Sequence, residues 1–79
     1  MDRTYTYSVI LEPMEEGGLL VRVPALPEVV TYGDDEEHAL AMAKEAIELV
    51  IGSRLERGES VPPEVAETRV RQMTVSVAA

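Results

Sequence analysis

The sequence contains no cysteine, so it can form neither a disulfide framework nor a thiolate metal site, and thiol redox chemistry is closed to it. Positive charge is scarce: seven Lys and Arg stand against fifteen Asp and Glu, a net charge of -8. A field of that sign repels the phosphate backbone that supplies most non-specific nucleic-acid affinity. It suits a basic partner better, beyond its general use in keeping a small protein dispersed. No stretch approaches the roughly 20 apolar residues that span a bilayer. The N-terminus enters Tyr5-Thr6-Tyr7-Ser8-Val9-Ile10 without a basic segment followed by a long apolar run, so the chain reads as cytoplasmic.

With 79 residues there is room for one core only, and residues 1–79 are expected to form a single domain. A domain of this size buries roughly 60–65% of its unfolded surface, which makes self-association a common source of added stability.

Alternation dominates the first third of the chain. Tyr5, Tyr7, Val9 and Leu11 interleave with Thr4, Thr6, Ser8 and Ile10, the period of a strand with one buried face. Pro13 to Gly18 supplies turn chemistry, and Leu19 to Val23 returns as a second strand. Pro24 and Pro27 each lack an amide donor, so the ladder must break before the short run Val29-Val30-Thr31-Tyr32, the third strand. Gly33 closes it. Asp34 and Glu37 have the spacing of a capping box, with Asp35 and Glu36 at the favoured end of the helix dipole. The helix is expected from about residue 35 to Arg57, stopped by Gly58. Ala39, Ala43, Ala46, Ile47 and Val50 form its central stripe, with Met42 and Leu49 on one flank and Leu40, Ile51 and Leu55 on the other. The apolar arc spans roughly 200°, wider than covering a sheet requires. Val70 to Ala78 alternates again and is expected to be a fourth strand. The order is β-β-β-α-β, an α+β fold with one helix on a four-stranded mixed sheet of order 3-2-1-4.

Val21-Arg22-Val23-Pro24-Ala25-Leu26-Pro27, followed by Thr31-Tyr32-Gly33-Asp34-Asp35-Glu36-Glu37-His38-Ala39-Leu40-Ala41-Met42-Ala43-Lys44-Glu45-Ala46-Ile47, resembles the HicB pattern V-x-V-P-D-L-P-G-C-x-T-x-G-D-T-x-E-E-A-L-x-N-A-x-E-A. The sequence departs from it at Ala25, at Glu28 and Val29, and at His38. The resemblance implies a partial RNase H-like fold and the antitoxin role of a type II toxin-antitoxin pair. There the partner is a small basic HicA-like toxin, an mRNA-cleaving ribonuclease whose active site the antitoxin occludes. Many members of the family also carry a C-terminal DNA-binding domain. This chain reaches Ala79 directly after the fourth strand, so it is expected to act as a short form.

Chemistry of other kinds finds little support in the residues. Two-metal hydrolysis needs several converging carboxylates, whereas strand one carries only Glu12 at its end, which Glu45 or Glu48 would meet only by a coincidence of geometry. His38 is the sole histidine and has no visible nucleophile to serve. Ser8, Ser53, Ser60 and Ser76 lack a nucleophile-elbow context. Tyr5, Tyr7 and Tyr32 could stack on bases, but almost no Lys or Arg accompanies them. No catalytic, metal or cofactor residue is assigned, and the chain is expected not to be an enzyme. The candidate partner-binding residues are Glu15, Glu16, Asp34, Asp35, Glu36 and Glu37, which would face a toxin's basic surface. The candidates for assembly into a homodimer or higher even-numbered oligomer are Leu40, Met42, Leu49 and Ile51. Two other readings stand beside the antitoxin: a toxin-independent oligomeric regulatory domain, and a DNA-binding autorepressor. The second suits the charge poorly, since the helix holds only Lys44, Arg54 and Arg57 as cations.

The charge generates a direct expectation. The isolated protein at nanomolar concentration will not shift a duplex promoter fragment in a sequence-selective way; a salt-sensitive, selective shift in a gel or fluorescence assay would contradict it.

Overall fold

The structure is a computed structural model, and it describes residues 4–64 and 69–78. Three short strands, β1 (Ile10–Pro13), β2 (Leu19–Arg22) and β3 (Val30–Gly33), precede one helix, α1 (Glu36–Glu56). The strands form an antiparallel meander of order β1-β2-β3, with Leu11 opposite Val21 and Val21 opposite Thr31. Gly17 (φ +99°) and Gly18 (φ +81°) make the β1–β2 turn in the left-handed region, closed by Met14 N donating to the Gly18 carbonyl at 3.1 Å and Gly17 N donating to the Met14 carbonyl at 3.0 Å.

Pleat parity decides which side chains meet the helix. Val21 and Val23 are buried, and Tyr5, Tyr7, Val9, Leu11 and Leu19 are partly buried around them, the face the alternation assigns to the core. Two joined clusters result. Val21 packs with Ala39 and Ala43 near the start of α1; Val23, Leu26 and Val29 pack with Ile51 near its end. The connection between β2 and β3 is thus part of the core. Its turns close through Leu26 N to the Val23 carbonyl (3.0 Å) and Val29 N to the Leu26 carbonyl (2.9 Å). Ala25 and Val29, where the sequence departs from the HicB pattern, are both buried, so small apolar side chains suit this turn.

Both helix ends are capped locally. At the C-terminus Gly58 (φ +72°) follows the Arg57 cap, Gly58 N donates to the Leu55 carbonyl at 3.1 Å, and Glu59 N donates to the Arg54 carbonyl at 2.8 Å. This is a Schellman arrangement, and it ends the helix where Gly58 was expected to. At the N-terminus the cap is Asp35, one residue later than the expected Asp34. Its Oδ1 accepts from His38 N at 2.8 Å, while the Asp34 amide donates to His38 Nδ1 at 3.0 Å. The reciprocity of a capping box survives, with His38 in place of Glu37 as the residue reaching back.

Two expectations require correction. Ile51, assigned to a self-association flank, is 8% exposed and belongs to the core, because the Val23–Val29 connection wraps that side of the helix. Val61, in the segment after the helix, joins the same cluster. No fourth strand is found among the described residues: residues 69–78 carry no strand and no helix, and in place of the order 3-2-1-4 the described sheet is β1-β2-β3. Pro62 and Glu64 already occupy the neighbourhood of residues 7 and 8, with the Tyr7 hydroxyl donating to the Pro62 carbonyl and the Ser8 amide donating to the Glu64 carboxylate, each at 2.5 Å. The connection thus contacts the stretch before the first strand through the Tyr7 and Glu64 side chains.

Two glycines separate steric from propensity effects. A Cβ on Gly33 would lie 2.3 Å from the Ala39 nitrogen, whereas one on Gly52 meets nothing within 4 Å. Gly33→Ala is expected to cost about 1–3 kcal/mol through overpacking, and Gly52→Ala to add about 1 kcal/mol through helix propensity. Urea midpoints at unchanged m-value will read both.

Candidate partner-binding surfaces

The six acidic candidates, far apart in sequence, meet at one end of the molecule. Glu15 and Glu16 sit in the β1–β2 turn, and Asp34 to Glu37 span the junction from β3 into α1. Leu19 pairs with Gly33, and a Cβ on Gly18 would come within 2.8 Å of the Gly33 carbonyl oxygen and 3.8 Å of the Asp34 Cα, so the turn lies against the junction. All six side chains belong to exposed residues. None of them is paired with a Lys or Arg among the described residues; the Asp34 carboxylate lies 3.7 Å from His38 Nδ1, which accepts from the Asp34 amide. Four of the Lys and Arg residues are engaged elsewhere: Arg22 with Glu12, Lys44 with Glu48, Arg54 with Glu28 and Arg57 with Glu59. The helix dipole favours the junction carboxylates, and solvent screens their mutual repulsion.

The opposite end of α1 is tied down by charge as well as by apolar contact. Arg54 donates to one oxygen of Glu28 from Nη2 (2.6 Å) and from Nε (3.1 Å), bridging the helix to the connection. The backbone amide of Glu28 and this guanidinium hold the Glu28 carboxyl below its ordinary range. The hydrogen bond from Arg57 does the same for Glu59. These groups are solvent-exposed, so they fix geometry more than they add stability.

A groove of about 510 Å³ runs between residues 4–9 and α1, lined by Tyr5, Tyr7 and Val9 on one wall and Leu40, Ala43 and Ile47 on the other. The rings of Tyr5 and Tyr7 stack in parallel, centroids 6.5 Å apart. Burial, with Tyr5 and Glu64 nearby, raises the Tyr7 phenol above its usual range, consistent with its role as donor to Pro62. The remaining self-association candidates divide: Leu40 and Leu49 are exposed (46% and 68%), while Met42 is half-buried.

Several surface residues were not anticipated. Ile10, Leu20, Val30 and Tyr32 share the sheet face away from the helix, by their register, and Val30 and Tyr32 are exposed. The signal was present, because Ile10 and Leu20 place apolar residues on both parities of their strands. Glu12, considered above as a metal ligand with Glu45 or Glu48, is instead bonded to Arg22 Nε at 2.7 Å. Among the described residues no three His, Cys, Asp or Glu side chains are grouped to hold a metal ion. No described helix is long and apolar enough to cross a membrane.

These features define a small α+β module, three antiparallel strands under one helix, with a carboxylate-rich end and an open apolar groove. The family model for the HicB-like antitoxin of bacterial toxin-antitoxin systems matches residues 7–76, and the chain belongs to that family. Antitoxin HicB 1 of Photorhabdus laumondii is 45% identical over 56 residues, covering 71% of this chain and 36% of that protein. The UPF0150 protein Ta0767 of Thermoplasma acidophilum is 41% identical over 61 residues, covering 77% of this chain and 88% of its own length. The chain thus spans about a third of the first relative and most of the second.

The cap assignment can be tested at the acidic end. Asp35→Ala should lower stability by about 1 kcal/mol by leaving the His38 amide unpaired, whereas Asp34→Ala should change it by less than half as much; thermal or urea denaturation will separate them.

Proposed function

We propose that the protein is the antitoxin of a toxin-antitoxin pair, acting without catalysis by binding a small basic HicA-like ribonuclease and occluding its active site. Membership of the HicB-like family supports an antitoxin role. The observation that carries the choice of surface is the carboxylate-rich end, where Glu15, Glu16, Asp34, Asp35, Glu36 and Glu37 converge with no Lys or Arg paired to them among the described residues. An enzyme that binds RNA carries a basic surface, and a field of opposite sign steers encounter and fixes orientation. The shape of the surface also fits, since a β-turn beside a helix start projects backbone and carboxylates together. The module in this reading also self-associates, through the apolar surface that one helix and three strands leave open.

The test is co-expression with the product of a small basic reading frame adjacent to the gene, followed by a growth assay and co-purification. The wild-type protein should rescue growth and co-purify. Glu15→Lys, Glu16→Lys and Glu37→Lys combined should reduce the association rate by about tenfold or more at low salt, with the difference shrinking as salt is raised. Those three positions avoid the Asp35 cap, and circular dichroism will verify the fold. Absence of rescue and of co-purification by the wild type would remove the antitoxin reading. An unchanged association rate in the triple variant would move the contact away from this end.

A further inference from the structure

Two unpartnered features of the chain have complementary chemistry. The first is the segment 69–78. Val70, Met73, Val75 and Val77 are 83%, 87%, 71% and 85% exposed, and the molecule is correspondingly elongated, 59 × 27 × 18 Å. Its odd positions read Arg69, Arg71, Met73, Val75 and Val77, so an extended form presents one face that is basic at its start and apolar beyond. The segment has no acid, while the whole chain carries -8; the rest of the chain is therefore more acidic than the total by two charges. Arg71 donates to the carbonyl of its own neighbour Val70.

The second is the wall of the groove formed by residues 4–9. These residues continue the alternation of β1 beyond the point where β2 ends, because Pro24 has no amide to donate and the chain turns away. Their backbone has no strand partner among the described residues, and the Ser8 amide is held by a side chain, that of Glu64. An extended stretch with unpaired backbone beside an apolar groove is a template for strand addition. The lengths agree: ten extended residues span about 33 Å, and a 21-residue helix is about 31 Å long.

We propose that residues 69–78 of one copy dock as an added strand along residues 4–9 of a second copy, setting Met73, Val75 and Val77 into the groove against Leu40, Ala43 and Ile47, with the exchange reciprocal in a two-fold dimer. Arg69 and Arg71 enter the field of an acidic body, and the strand missing from each three-stranded sheet is supplied in trans. Within each copy the connection reaches Tyr7 and Ser8 through Pro62 and Glu64, and an arm that pairs with this stretch displaces the Glu64 carboxylate from the Ser8 amide. The reciprocal form follows from symmetry: each copy has one arm and one groove, so a closed pair leaves neither exposed. This inference rests on the self-association part of the proposed function and is independent of the toxin.

The absence of cysteine makes the test clean. Two single-cysteine variants of the full chain, Leu40→Cys and Val75→Cys, are mixed and oxidised. A heterodisulfide between them can only join two copies, and it is expected in excess of either homodisulfide. Sedimentation should show the wild type as a dimer at micromolar concentration. Val75→Asp combined with Val77→Asp, both at exposed sites, should give a monomer of unchanged circular dichroism, with association weakened about a hundredfold or more. A wild-type dimer that persists in the Asp variant would overturn the arm exchange while leaving self-association in place. A wild-type monomer would overturn both. Ready closure of the disulfide within one chain of the Leu40→Cys, Val75→Cys double variant, without linked dimers, would show that the segment folds back on its own body and would also overturn the exchange.

Discussion

The close approach of the first turn of α1 to Gly33 is the contact on which the arrangement depends. With the Ala39 backbone pressed against the end of β3 and Ala39 and Ala43 fully covered, the helix can lie low enough for Val21 to reach it from the central strand. Any larger side chain at Gly33 or Ala39 would lift the helix and open the layer between Val21 and Ala43. The same approach governs charge. Gly18 packs on Gly33, so the β1–β2 turn and the helix start are drawn to one point, and their carboxylates come with them. Clustering charge of one sign is tolerable there because every member is exposed and half of the group sits at the positive end of the helix dipole.

The far end of the helix is secured differently. Leu26, Val23 and Val29 come from a proline-bounded connection that could not have been ladder, and they close over Ile51 and the last turns of α1. Most of the stabilisation there is apolar burial, since Leu26 and Val23 are essentially inaccessible. The Arg54–Glu28 bridge and the Schellman turn at Gly58 set where the helix stops and how the chain leaves it. It leaves toward Tyr7 and Ser8.

Much of this was legible in the residues. The period-two alternation named the buried sheet face, Gly58 marked the helix end, and the acidic cluster and the family pattern were both visible as strings. The errors have specific causes. The cap moved from Asp34 to Asp35 because His38 can accept through Nδ1 at the same reach as a Glu, a substitution that spacing alone does not weigh. A helical wheel puts Ile51 on a flank because it shows direction and says nothing of what a distant connection covers. The expected fourth strand rests on alternation, which describes a strand's two faces but is blind to its edges.

By itself the sequence determined the periodicities, the stops and the sign of the charge, since each is a property of neighbouring residues: side-chain alternation, a missing amide at Pro24, a left-handed residue at Gly58. Only the tertiary structure decided which surfaces coincide. That the Gly18 turn lies beside Gly33 and Asp34, that the Val23–Val29 connection covers Ile51, and that Pro62 and Glu64 reach Tyr7 and Ser8 are all consequences of contacts between segments remote in the chain. Such contacts depend on how closely two backbones can pack, and local composition does not encode that distance.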